Sequence, residues 1–182
     1  IQRVEPTRCI LVGDVFRKGP DPMGVWKIIQ EWSIEAVFGN HEAALLQESE
    51  HYPSTLVRWV ESLPLWIDGE SVVEDGLQSW RVIHAGVNPF NIQETTRANA
   101  IGLRRWPDDR DRRNPFWWEL YSGDALIIYG HDAARGLQDH RPRTLGLDSG
   151  CVYGNGLTGY VIESSELIHV PSQRVYVPIR KT

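Results

Sequence analysis

The chain has 182 residues, 41% hydrophobic and 24% charged, with a formal net charge of −5; this is the balance of an ordinary globular domain with room for a sizeable core. The acidic excess excludes an electrostatically driven nucleic-acid binder, so no stable nucleic-acid binding is expected, and no run approaches the ~18 apolar residues of a membrane span. The cysteines are Cys9 and Cys151 alone, too few for a disulfide framework, which points to a reducing, cytoplasmic compartment.

In chain order, Cys9 to Val12 predicts a short buried parallel strand ending at Gly13-Asp14. Asp21-Pro22 is a helix start, an N-cap carboxylate followed by proline at the first helical position. The spacing predicts a helix to Trp32 with Trp26, Ile29 and Trp32 on its apolar face. Ile34 to Phe38 is the next strand, which completes a βαβ unit and ends in Gly39-Asn40-His41-Glu42. Helices are expected from Ala43 to Gln47 and through Leu56, Val60 and Leu63, the second stopped by Pro64. Short strands follow from Leu65, with Asp75-Gly76 as a hairpin turn. Trp80 to Ile83 is a strand ending in His84-Ala85-Gly86. Gln93 to Leu103 predicts a helix, Pro107 to Pro115 a charged solvent-facing loop, and Phe116 to Trp118 the opening of a short helix. Ala125 to Tyr129 is a strand ending in Gly130-His131-Asp132. Leu145 to Leu147, Leu157 to Ile162, Leu167 to Val170 and Val175 to Pro178 are expected to form a second, mostly antiparallel sheet. With no repeat, linker or low-complexity tract, residues 1–182 read as one domain.

Four strands therefore end in polar residues beside glycine: Asp14, Asn40-His41, His84 and His131. Glycine permits the tight turns and close backbone approach of a site at a sheet edge. A lone histidine after a strand is an ordinary structural residue. A carboxylate, an amide oxygen and several imidazoles delivered in the same way form a mixed oxygen and nitrogen set suited to Mn, Fe, Zn or Co.

Gly13-Asp14-(x)4-Gly19-Pro20, Gly39-Asn40-His41-Glu42, His84-Ala85-Gly86 and Gly130-His131, in this order, resemble the calcineurin-like metallophosphoesterases. The similarity is to the branch of the phosphoprotein phosphatases and symmetric bis(5'-nucleosyl)-tetraphosphatases. Leu147 to Gly154, with Leu157-Thr158, is similar to that branch's C-terminal strand segment. The resemblance implies an α/β fold, a four-layer αββα sandwich with two mixed β-sheets. It implies a hydrolase of phosphoester or phosphoanhydride bonds with two divalent metal ions, Mn favoured. Asp14 would bridge the metals, and Asn40, His84 and His131 would complete the shell of one. A metal-bridging hydroxide would attack phosphorus, its acidity raised by cations about 3.5–4 Å apart. His41 would serve the leaving oxygen as proton donor or charge stabiliser.

Two departures from the family pattern matter. The Asp-x-His-Gly motif belongs upstream of Gly13, and nothing in residues 1–9 resembles it. Because the chain begins with Ile1 and its single methionine is Met23, truncation is expected rather than degeneration. The chain as it stands would then lack its first core strand and half of the metal site, with weak or no activity. Arg17-Lys18 also stands where the protein phosphatases have Asp-Arg. Arg17 cannot orient His41 by accepting a hydrogen bond, and Lys18 would meet phosphate as a point charge. Arg104 and Arg105 lie where the resemblance places a second phosphate-binding arginine, without distinguishing them. Asp132 and Asp148 are candidates either to orient ligand histidines or to shape turns; His51, His140 and His169 read as surface residues.

The substrate expected is a phosphorylated small molecule or nucleotide such as a dinucleoside tetraphosphate, with a phosphoserine or phosphothreonine protein as the alternative. A non-catalytic phosphate-binding module that has lost its first metal site is the rival of a different class.

Overall fold

The computed structural model describes residues 4–178. Ile1 to Arg3, part of the stretch without the Asp-x-His-Gly motif, lie outside them. Strand β1 (Ile10–Leu11) and strand β2 (Glu35–Ala36) pair in parallel, with Ile10 opposite Glu35. Helix α1 (Pro22–Glu31) joins them, and the Asp21 carboxylate accepts from the Gly24 N–H at 2.8 Å. Trp26 and Ile29 are buried as the spacing predicts, but Trp32 falls beyond the helix and is 39% exposed.

Helix α2 (Asn40–Gln47) starts earlier than expected. Glu42, two residues after the first helical position, accepts from the Gly39 N–H at 3.0 Å and so closes the helix start around Asn40 and His41. Helix α3 is Ser54–Glu61, with Leu56 and Val60 buried. Strands β3 (Trp66–Val73) and β4 (Gly76–Ile83) form the expected hairpin, but its turn is Glu74-Asp75, one residue before the expected Asp75-Gly76, because Gly76 already pairs with Val73. Helix α4 (Arg97–Gly102) is shorter than the predicted Gln93 to Leu103. Thr96 caps it by accepting from the Asn99 N–H at 3.2 Å, so the residues before Thr96 form only a separate 3-10 turn at Ile92–Glu94. Helix α5 is Trp117–Leu120, and strand β5 is Leu126–Tyr129.

Strands β6 (Gln138–His140) and β7 (Thr144–Gly146) follow, then the hairpin of β8 (Gly156–Val161) and β9 (Glu166–Pro171). The expected second antiparallel sheet needs two corrections. The Leu145 segment does not join the C-terminal hairpin: β7 pairs in parallel with β5, giving a five-stranded mixed sheet in the order β3-β4-β5-β7-β6. Val175 to Pro178 form no strand, because the Tyr176 and Val177 N–H groups both donate to the Val152 carbonyl rather than to a ladder.

Three apolar clusters separate four layers, in line with the αββα expectation. Trp26, Ile29, Leu45, Leu56 and Val60 from α1 to α3 pack with Phe16, Ile34 and Phe38, and Leu11 packs against them. Neighbouring strand residues point the other way. Val37, Trp80, Val82, Leu126, Ile128 and Leu145 form the core between sheets, with Ile10, Val12, Tyr160 and Leu167 against it. Ile83, Ile127 and Tyr129 on the outer face meet Ala100, Leu103, Trp117 and Tyr121 near α4 and α5. Each fully buried Leu or Ile adds about 1.5–3 kcal/mol, and the alternation fixes which face of a strand meets which cluster. No helix among the described residues is long and apolar enough to cross a membrane.

Candidate metal centre

The C-terminal ends of β1, β2, β4 and β5 meet at one edge. β4 and β5 run parallel, and the Gly130 N–H donates to the His84 carbonyl at 2.9 Å. On the opposite sheet the Val37 N–H donates to the Leu11 carbonyl at 3.1 Å. His84 bridges the two: its Nδ1–H donates to the Val12 carbonyl at 2.7 Å. That carbonyl can only accept, so the neutral ring keeps a lone pair on Nε2.

The Nε2 lone pair lies 3.0 Å from Asn40 Oδ1 and 3.4 Å from Asp14 Oδ1. His131 Nδ1 is 2.9 Å from Asn40 Oδ1 and 3.1 Å from His84 Nε2. Asp14, His84 and His131 together form a group whose ligand atoms lie within 4.8 Å of one another. An imidazole lone pair, an amide oxygen and a carboxylate oxygen thus converge beside a second imidazole nitrogen, all of them metal-ligand types. The donor set therefore fits a divalent metal ion. Burial, then repulsion from Arg104 and His84, pushes His131 down to about 3, so the ring is neutral and available as a ligand at ordinary pH. Its Nε2 is buried without an aligned partner.

The backbone is strained where these side chains are aimed. Asp14 has φ +59° and His131 φ +71°, the left-handed region that costs a non-glycine residue. Gly13 (φ +87°) and Gly39 are needed for approach as well. A Cβ on Gly13 would stand 2.7 Å from His84 Nδ1, and one on Gly39 would stand 2.6 Å from Asp14 Oδ1.

Glu42 holds this arrangement, a role the sequence reading missed. It is fully buried and accepts from the N–H groups of Asp14 (2.8 Å), Val15 (2.8 Å) and Gly39 (3.0 Å). Burial raises its pKa, and the donated hydrogen bonds from Val15 and Asp14 oppose the rise. A carboxylate three residues after a helix-capping glycine is the available sequence signal.

The other candidates sort by contact. His41 donates its N–H to Asp14 Oδ1 at 2.9 Å, and its Nδ1 lies 3.3 Å from Asp14 Oδ2 without hydrogen-bond alignment. Burial lowers the His41 pKa; Asp14 opposes this, while Lys18, His84 and Arg17 reinforce it. Arg17 turns to Glu48, 3.6 Å away. Lys18 Nζ is 3.2 Å from the Tyr153 hydroxyl, a partner 135 positions further along the chain. Arg104 reaches Asp132 at 3.6 Å and Asp109 at 3.4 Å. Arg105 is committed elsewhere, to the Asn114 carbonyl and to the Phe116 ring, whose centroid is 3.9 Å away. Asp132 pairs with Arg104 and Arg135, and Asp148 accepts from the Gly150 N–H at 3.1 Å. Among the described residues neither carboxylate hydrogen-bonds His84 or His131. His51, His140 and His169 are exposed.

No protein-family model matches the chain. A Geobacillus protein named bis(5'-nucleosyl)-tetraphosphatase PrpE [asymmetrical] is 40% identical over 92% of this chain and 80% of its own length. Proteins of the same name from Bacillus subtilis and Bacillus velezensis are 25% and 27% identical, over 92% and 94% of the chain. Their names specify asymmetrical cleavage, where the motif resemblance above names the symmetric enzymes. A crystal structure provisionally described as a diadenosine tetraphosphatase superposes with a TM-score of 0.78 at 26% identity, covering 91% of this chain and 80% of that one. From these similarities together with its strand-end motifs, the chain belongs to the PrpE bis(5'-nucleosyl)-tetraphosphatase family of metallophosphoesterases.

Proposed function

We propose that the protein is a metal-dependent phosphohydrolase that adds water across a phosphoanhydride bond of a dinucleoside tetraphosphate. The convergence of potential ligand atoms from Asp14, Asn40, His84 and His131 carries the reading, because a mixed oxygen and nitrogen set at this spacing suits a divalent cation. These four residues would hold one divalent ion. Two ions, Mn favoured, would share Asp14, as the family resemblance implies. Bound there, the cations supply Lewis acidity toward phosphoryl oxygens and acidify water.

The chain's own groups do the rest. His41, half-buried and held near Asp14, places an imidazole where it can give a proton to a leaving oxygen. Lys18, which acts on the His41 ring and meets Tyr153, and Arg104, which acts on the His131 ring and meets Asp132, bring positive charge to the centre and would bind the phosphate chain. Arg105 is left to the wall, since its guanidinium is already engaged. We read residues 1–182 as one domain, supported by Leu65 and Ile101, which pack against two of the three clusters. Free Cys9 and Cys151 favour a cytoplasmic setting.

A phosphoserine or phosphothreonine protein, the alternative substrate, finds no support among the relatives named above. Full-length protein with Mn²⁺ and diadenosine tetraphosphate tests the proposal. Asymmetrical cleavage releases ATP and AMP, symmetric cleavage two ADP. The expected result is metal-dependent release of ATP and AMP, with phosphopeptide left intact and turnover collapsing in Asn40→Ala and His84→Ala. Turnover indifferent to both substitutions sinks the site. Metal-stimulated phosphate binding without any turnover would favour the non-catalytic module.

A further inference from the structure

We propose that Phe90 and Trp106 form a stacking platform for a nucleobase of the substrate; this rests on the nucleotide reading above. Among the described residues Phe90 is 71% exposed, an unusual state for a large aromatic side chain. Its ring meets Trp106 edge to face, with centroids 6.0 Å apart and planes at 78°. The other strongly exposed aromatic, Trp32, precedes β2 and so lies at the end of the strands opposite the metal centre.

Two chain segments connect the pair to the centre. Phe90 sits on the loop that leaves β4 directly after His84. That loop is fixed rather than slack: the Phe90 and Asn91 N–H groups donate to Asn88 Oδ1 at 3.1 and 3.3 Å, and the Asn88 N–H donates to Thr95 Oγ1 at 3.1 Å. Trp106 ends a strip that leaves α4 at Gly102 and passes Arg104, whose Nε lies 3.6 Å from Asp132, the residue next to His131. The strip is held by hydrogen bonds from the Trp117 N–H to the Arg104 carbonyl (3.0 Å) and from the Trp106 N–H to the Pro115 carbonyl (2.9 Å). Four residues reach at most ~14 Å, a span that a nucleotide's phosphate and ribose can cover. A ligand whose phosphates lie between the centre and Arg104 would therefore lead its base toward this pair. Aromatic rings stack any base with little sequence preference, which suits a substrate carrying two nucleosides.

The test compares binding of ATP and of inorganic tripolyphosphate to the full-length protein by calorimetry at matched free Mn²⁺. The charge is comparable and only the nucleoside differs. Wild type should prefer ATP by about tenfold or more, the size of one stacking contact. Phe90→Ala should bring the ratio close to one, and Phe90→Trp should keep it. A wild type with no preference, or a Phe90→Ala variant with the wild-type ratio, overturns the platform. Failure to hydrolyse diadenosine tetraphosphate would instead count against the proposed activity, because the binding ratio does not depend on turnover.

Discussion

The backbone N–H of Asp14 donates to Glu42 across 2.8 Å, joining the end of β1 to the first turn of α2. Glu42 takes two further N–H groups, from Val15 and Gly39, and so sets the left-handed turn from which the Asp14 carboxylate faces His84. Removing an acceptor strands donors in a buried site, and each stranded group costs about 1–3 kcal/mol. Glu42→Ala is therefore predicted to lower unfolding stability by roughly 3 kcal/mol or more. Glu42→Gln, which keeps one acceptor oxygen, should lose less. Urea unfolding checks this, and a loss below about 1 kcal/mol in the alanine variant contradicts it.

Arg104 and Arg105 should behave differently on substitution. Arg104 stands between Asp132 and Asp109 with its guanidinium partly open, whereas Arg105 lies over Phe116. Arg104→Ala is expected to reduce kcat/KM for a phosphoanhydride substrate by about tenfold or more, as loss of a charge-assisted phosphate contact does, at nearly unchanged melting temperature. Arg105→Ala should lower the melting temperature and affect kcat/KM less. Measuring both quantities for both variants decides, and a reversed pattern refutes the assignment.

Much of this was legible in the sequence, and the remainder was hidden for identifiable reasons. Asp14, Asn40, His84 and His131, which the fold brings together, could be proposed as one set because each follows an apolar strand run near a glycine, a local signal. The start of α2 at Asn40 was missed because Gly39 has no side chain to announce a cap; the capping group is Glu42, inside the helix. Arg104 and Arg105 are adjacent, so no periodicity separates them, and only tertiary contacts with Asp132 and Phe116 do. The Lys18–Tyr153 contact joins residues too far apart in sequence for any pattern to link them. The strand expected at Leu145 to Leu147 exists one residue earlier, at Thr144–Gly146, but its partner β5 depends on the crossover and not on its own composition.

Acid should destabilise the metal-free protein through its histidines. His131 is pushed down to about 3 in the folded state, against about 6.5 when unfolded. Between these values the unfolded chain binds the extra proton, so stability falls as pH drops through that window. His41, also lowered by burial, acts in the same direction. In EDTA, the urea midpoint of wild type should fall more steeply from pH about 7 to about 5 than that of His131→Asn. Equal slopes would contradict the burial of a neutral imidazole.

Asp14, Asn40, His84 and His131 are proposed to hold a divalent cation together. Calorimetric titration of full-length protein with Mn²⁺, beside His84→Ala and Asn40→Ala, tests it without reference to turnover. Each substitution is expected to weaken Mn²⁺ binding at this site by about 100-fold or to abolish it, while the far-ultraviolet dichroism of a folded protein is retained. Affinities within about twofold of wild type in both variants would contradict it.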